Sequence, residues 1–236
     1  MKLNVCFSPA LFNYYAANNS VVILVDIFRA TTSICTAFFN GAKSVRTVAS
    51  ISEAKRWKEN GLLVAAERNT QKCDFANFGN SPFDFTREKV SGKEIVFTTT
   101  NGTLAAETAK DAEQVVIGSF SNISAVTAYC LELKNDITIL CSGWNNRFCM
   151  EDTLFAGALA DRLKTALSFT NKSDAVSAAV ELWKIAQQNL LQYICNSEHY
   201  ERLRDHGLED TVKYCITPDL APVLPKLNKQ TGLFTL

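Results

Sequence analysis

A three-layer α/β/α sandwich with a mostly parallel central sheet and a helical C-terminal third is the fold class that the sequence predicts. Three observations carry it. Short apolar runs alternate with longer segments of helical period, the pattern of successive βαβ units. Five of those runs end abruptly in polar or charged residues, as strands do where they open onto a ligand site at their carboxyl ends. Beyond residue 150 the strand signals nearly stop, while helical periodicity continues.

In chain order, strands are expected over 3–7, 21–25, 45–49, 62–66, 94–98, 114–118 and 137–141, with helices over 30–40, 52–60, 102–110 and 122–134 between them. The run VVILV (21–25) leads into Asp26-Ile27-Phe28-Arg29-Ala30-Thr31-Thr32, and LLVAA (62–66) into Glu67-Arg68-Asn69. EIVF (94–97) leads into Thr98-Thr99-Thr100-Asn101-Gly102-Thr103. VVI (115–117) gives way to Gly118-Ser119-Phe120-Ser121-Asn122, and ITIL (137–140) to Cys141-Ser142-Gly143 and then Arg147 and Glu151-Asp152. Segment 152–167 sets Leu154, Phe155, Ala158, Leu159, Leu163 and Leu167 on one helical face. Segment 174–194 does the same with Val176, Val180, Trp183, Leu190, Leu191 and Ile194, and Ser173-Asp174 suits its N-cap. The tail 216–236 holds three prolines and is expected to wrap the surface irregularly. These elements read as one domain over 1–236, strand-rich to 150 and helical from 151; a small separate lid built from the helices is the alternative.

Composition narrows the function. The chain of 236 residues is 47% hydrophobic and 20% charged with a net charge of zero, so no basic field argues for nucleic acid or an anionic membrane. The opening MKLNVCFSPALF lacks the apolar core of a signal peptide, no run reaches the length of a membrane span, and the cytoplasm is the expected location. Of eight cysteines without CxxC or zinc spacing, most read as buried reduced thiols, with Cys141 the exception taken up below. A homodimer is the assembly expected from base rates.

The polar strand ends carry the chemistry. Asp26 can hold Mg²⁺ while Arg29 meets an anion bidentately, or the two are an N-cap and a surface arginine. Glu67-Arg68-Asn69 repeats the acid–base pairing. Thr100, Asn101, Gly102 and Thr103 form the best anion cradle, ahead of a helix whose first N–H groups lack partners; Gly118-Ser119 and Ser121-Asn122 offer a weaker copy. Phe78-Gly79-Asn80-Ser81-Pro82 reads as a turn feeding a helix with Pro82 near its first position. Glu151 and Asp152 suit the helix dipole and, facing Asp26, would complete a magnesium site. His199 and His206 share a helical face, and His199 suits a general acid. Cys141 and Arg147 together spell C-x5-R, which resembles the phosphate loop of cysteine-dependent phosphatases and keeps a metal-independent thiolate mechanism open.

Taken in order, DxxRATT, ERN, GNSP, TTTNGT, GSFxN, the Gly143-Trp144 loop followed by EDTLxAG, and a late SxHxxxL…G…D make the chain similar to the 2-phosphosulfolactate phosphatase (ComB-like) family from about residue 20 to its end. The resemblance implies an α/β/α phosphoric monoester hydrolase that uses Mg²⁺ to convert 2-phospho-3-sulfolactate to 3-sulfolactate and phosphate, a step towards coenzyme M. By position it points to Asp26, Arg29, Glu67, Arg68, Asn69, Asn80, Thr100, Asn101, Gly102, Thr103, Glu151 and Asp152, and more loosely to Ser197, His199 and Asp210. Ala66, Asn145-Asn146 and Tyr200 depart from its usual pattern. Such a substrate carries about four negative charges near neutrality, and Arg29, Arg68 and Arg147 all follow strand ends. The expected roles are therefore Asp26, Glu67 and His199 in catalysis, and Asp26, Glu67, Glu151 and Asp152 on Mg²⁺. Arg29, Arg68, Asn69, Thr100, Asn101, Gly102, Thr103 and Arg147 are expected on the substrate. A non-catalytic binder of small phosphate or sulfonate anions is the reading from another class.

Overall fold

A computed structural model describes residues 1–15, 20–133 and 135–236. In order, the elements are β1 (Leu3–Cys6), β2 (Ser20–Val25), α1 (Ala30–Phe39), β3 (Ser44–Thr47), α2 (Ile51–Glu59), β4 (Leu63–Arg68) and β5 (Gln71–Lys72). There follow α3 (Arg87–Val90), β6 (Glu94–Thr98), α4 (Gly102–Ala109), β7 (Gln114–Gly118), α5 (Ile123–Leu133), β8 (Asp136–Cys141) and α6 (Met150–Ala166). The last are α7 (Asp174–Ala186), α8 (Leu190–Ile194), α9 (Glu198–Asp205), α10 (Asp210–Cys215), β9 (Lys226–Asn228) and β10 (Leu233–Thr235). Every expected strand is present within two residues of its expected bounds; residue 134, the end of the expected helix 122–134, lies outside the described residues.

Strand order is β1-β8-β2-β7-β9-β10-β3-β6-β4-β5. Two parallel blocks, β1-β8-β2-β7 and β3-β6-β4, are joined by an antiparallel hairpin of β9 and β10. The central strand β2 is buried along its whole length, as a continuous apolar run in a parallel block requires. Its side chains split by alternation. Val21, Ile23 and Val25 pack with residues of α5, α6 and α7, whereas Val22 and Leu24 join α1, α4 and the inward residues Ile95 and Phe97 of β6. The outer face of β4 and β6 packs on α2 through Val64, Ala66, Val96 and Ala54.

That second cluster positions the site. Four strands separate β2 from β6 in the ladder, yet both contribute to one core around α1 and α4. At Gly102, the first residue of α4, an added Cβ would lie 2.7 Å from Asp26 Oδ2 and 2.8 Å from the Ala30 Cβ. Glycine is required there because the carboxyl ends of β2 and β6 come together at that point.

Two expectations are corrected. The tail 216–236 does not simply wrap the surface: Lys226 pairs with Val116 of β7, Phe234 pairs with Val45 of β3, and Phe234 is fully buried. Three-residue strands either side of Lys229-Gln230-Thr231-Gly232 are too short to show alternation, and the Asn228 side chain accepts the N–H of Gln230 and Thr231 to close the turn. The expected helix 174–194 is broken at Gln187–Asn189. The Asn189 side chain accepts from Gln192 N and caps a new helix. No helix among the described residues is long and apolar enough to cross a membrane.

Phe234→Ala should lower the unfolding free energy by about 3–5 kcal/mol, read from urea titration monitored by circular dichroism. A loss below about 1 kcal/mol would mean that the hairpin is merely appended to the sheet.

Candidate functional site

Asp26 follows β2 and caps the turn into α1. Its Oδ1 accepts from Ala30 N at 3.2 Å, while Thr31 Oγ1 donates to Asp26 O at 2.8 Å. Burial raises the carboxyl to about 6; nearby Glu67 and Glu151 add to the rise, and His199 and the Ala30 N–H oppose it. Arg29 is 2% exposed; its Nη2 donates to Thr70 O at 3.1 Å, and its Nη1 is buried without a partner among the described residues.

Glu67 ends β4 and points the same way. Thr70 N donates to its Oε1 at 2.5 Å, and Thr100 Oγ1 donates to the same oxygen at 3.2 Å. The first of these bonds, with the grip of Arg29 on Thr70 O, holds Asn69 and Thr70 in left-handed backbone at φ 51° and 70°, a costly state for a β-branched residue. Asp26, Arg29, Glu67, Thr70, Asn80, Asn101, Trp144 and His199 line one small cavity of about 10 Å³. That is room for about one water or one ion. The side-chain carbonyl Oδ1 of Asn80 is buried there without a partner among the described residues.

The opening turn of α6 adds two buried carboxylates. Asp152 Oδ1 accepts from Ile27 N at 2.8 Å and its Oδ2 from Gly143 N at 3.1 Å, so it ties the ends of β2 and β8 together. Burial and the charges of Glu151 and Asp26 push its pKa well up, against those two N–H bonds. Glu151, 1% exposed, accepts from His199 Nδ1 at 2.5 Å and from Cys149 Sγ at 2.7 Å on one oxygen, leaving Oε2 buried without a partner among the described residues. Burial alone would raise Glu151, but the charge of His199 and the two hydrogen bonds hold it below the usual value. A carboxylate only accepts, so His199 carries its proton on Nδ1 and keeps Nε2 for another partner. The ring is wedged between Phe28 and Trp144, with centroids 5.6 and 5.5 Å away. Cys149, Glu151 and His199 form a compact N/O/S donor set within 4.8 Å. Asp26 and Glu67 offer oxygen alone.

Several expected residues hold the site together rather than face the cavity. Arg68 donates to Glu67 O at 2.6 Å and Thr98 Oγ1 at 2.9 Å, clamping β4 to β6. Asn69 N rests on Thr100 Oγ1, and Thr103 Oγ1 turns back onto Thr99 O at 2.9 Å. The hydroxyls of the Thr100–Thr103 turn are thus committed to structure, and of that turn Asn101 alone lines the small cavity. The expected second cradle is no cradle: Ser119, Ser121 and Asn122 are buried and bonded to one another, and Asn122 Nδ2 reaches Val223 O in the tail. His206 is exposed and meets Gln71, away from the cavity.

The thiolate mechanism is contradicted. Cys141 is fully buried in the apolar cluster with Ile139 and Val25, and burial, with Asp152 and Cys6 near it, pushes its thiol well up. Arg147, its supposed partner, is exposed and lines a larger cavity of about 340 Å³ together with Trp144, His199 and Arg202. Sequence reasoning missed Trp144, Thr70 and Arg202 as lining residues; the tryptophan in a glycine loop was a usable signal, whereas Arg202 carries none.

The model of the 2-phosphosulpholactate phosphatase family matches residues 6–230. A Thermotoga maritima protein described as a probable 2-phosphosulfolactate phosphatase is 40% identical over 214 residues, covering 91% of each chain. One of the same description from Caldanaerobacter subterraneus subsp. tengcongensis is 39% identical over 211 residues, 88% of this chain and 87% of that protein. Its Clostridium beijerinckii counterpart is 29% identical over 230 residues, 96% of each. With the matched stretch running through every element that lines the two cavities, the chain belongs to the 2-phosphosulpholactate phosphatase family.

Proposed function

We propose that this chain hydrolyses 2-phospho-3-sulfolactate to 3-sulfolactate and phosphate, with Mg²⁺ as its cofactor. The observation that carries the reading is the convergence of Asp26 and Arg29 from the β2–α1 turn, Glu67 from β4 and His199 from α9 on one buried cavity beside Glu151. Buried carboxylates that outnumber the adjacent cations favour a bound cation, and the partnerless Glu151 Oε2 is a further free donor. The carboxylate oxygens of Asp26 and Glu67 and room for a single ion suit a hard divalent metal. Asp26, Glu67 and Glu151 would hold it; Asp152, with both oxygens on backbone N–H groups, ties the surrounding loops. When bound, Mg²⁺ supplies charge neutralisation to the phosphoryl oxygens.

The chain's own residues do the rest. Arg29, with Nη1 free, binds a phosphoryl oxygen, and its bond to Thr70 O fixes the guanidinium plane. Phosphoryl transfer passes through a loose transition state, so protonating the departing oxygen matters more than deprotonating water. With Nδ1–H held by Glu151, a proton carried on His199 Nε2 passes to the C2 oxygen as the P–O bond breaks, while water supplies the new P–O bond and replaces that proton. Glu151 holds the imidazole in place through Nδ1 and so aims Nε2.

Phosphate release from 2-phospho-3-sulfolactate should require Mg²⁺ and stop with excess EDTA; release that ignores EDTA would remove the metal from the reading. Tight ligand binding in calorimetry with no release under either condition would instead indicate a binding protein. His199→Gln should lower kcat by roughly 10²–10⁴-fold and cost far less with an aryl phosphate, whose leaving oxygen needs no proton. Equal losses on both esters would place His199 outside proton transfer. Iodoacetamide treatment of the native protein should leave Cys141 unmodified by peptide mass spectrometry and kcat within about twofold; inactivation that tracks Cys141 alkylation would restore the thiolate route.

A further inference from the structure

We propose that the 340 Å³ cavity beyond His199 and Trp144 is the subsite for strongly acidic groups on the leaving alcohol, with Arg202 as the residue that selects them. The inference rests on the phosphatase reading and deepens it. His199 and Trp144 line both cavities, so they form the wall between the buried carboxylates and the larger space. A histidine that protonates the C2 oxygen puts the carbons flanking C2 on its outer side. Substituents on those carbons then face the residues of the larger cavity.

Those residues are built for anions. The Arg202 guanidinium lies 4.1 Å from the centroid of the Trp144 ring, a stack that fixes its plane. Its Nε is buried and has no partner among the described residues. Its ion pair among the described residues is with Glu198, which stands 3.7 Å from Nη1 and is 80% exposed, a long pair that solvent largely screens. Arg147 lines the same cavity and has no ion-pair partner among the described residues. Glu151 also reaches this wall, but its engaged oxygen is taken by His199 and Cys149. Glu151 faces His199 and Glu198 is screened by solvent, so the two guanidiniums leave the outer cavity able to take a second anion, and a fixed guanidinium offers paired donors to a carboxylate or sulfonate. Phe148, half exposed on the same wall, gives the carbon chain an apolar contact.

Three esters with the phosphate on C2 of a three-carbon chain isolate the subsite: 2-phospho-3-sulfolactate with two acid groups, 2-phosphoglycerate with one, and β-glycerophosphate with none. Arg202→Ala should lower kcat/KM for the two-acid ester, relative to β-glycerophosphate, by about 10- to 100-fold, as loss of a charge-assisted hydrogen bond does. 2-Phosphoglycerate should fall between, and Arg202→Lys should recover part of the ratio. A second readout needs no turnover: 3-sulfolactate binding, by calorimetry, should weaken by the same factor in Arg202→Ala. Equal losses on all three esters, or unchanged 3-sulfolactate binding, would overturn the assignment and leave Arg202 as a support for Trp144. If the unaltered chain releases phosphate from none of the esters, the phosphatase reading falls, and the binding measurement alone decides the subsite.

Discussion

Two neighbouring carboxylates, buried in the first turn of α6, are the constraint on which the rest of the site depends. Asp152 joins the ends of two strands through backbone N–H groups, and Glu151 fixes the buried His199. Charges removed from water must be paired or hydrogen-bonded, and each of these answers that demand in a different direction. One looks along the sheet and sets where the loops lie. The other looks across to α9 and sets where the imidazole lies. The N-terminal end of α6 contributes its own partial positive charge to both.

The same demand explains the geometry around Glu67. Its carboxylate collects donors from Thr70 and Thr100, and this network holds a threonine in left-handed backbone beside Arg29. Strand β4 alone would not specify that loop. Contact with β6 does, through Arg68 on Thr98 and Thr100 on Glu67. Substrate-facing and structural roles are therefore interleaved residue by residue: Arg29 faces the cavity while Arg68, of the same type and also at a strand end, clamps two strands.

Much of this was legible in the sequence. The apolar runs placed the seven long strands, and the polar residues after them placed Asp26, Glu67, Glu151 and Asp152 around a common centre. What periodicity does not encode is the direction in which a short side chain points. Thr100, Thr103, Ser119 and Ser121 all looked free to hold an anion and all are spent on their own turns or neighbours. A six-residue spacing likewise cannot tell a core thiol from a reactive one, and Cys141 is a core thiol. Arg202 was invisible because it sits on a polar amphipathic helix among other charged residues; the stack on Trp144 exists only after the α9 segment has folded back over the loop that follows β8. The β9–β10 strands escaped notice because each spans three residues and takes its partners from β7 and β3, far away in sequence.

The position of that hairpin bears on how the molecule is made. Strands β9 and β10, which follow every strand of both parallel blocks in sequence, are the ones that bridge them. A folding chain can assemble β1-β8-β2-β7 and β3-β6-β4 as separate half-sheets, but each then carries a bare edge, at β7 and at β3, until β9 and β10 pair between them. Exposed strand edges invite pairing with other chains, and contacts this distant in sequence form slowly. Closure of the sheet is therefore a late step in folding, and the interval before it is when both edges are open to pairing with other chains.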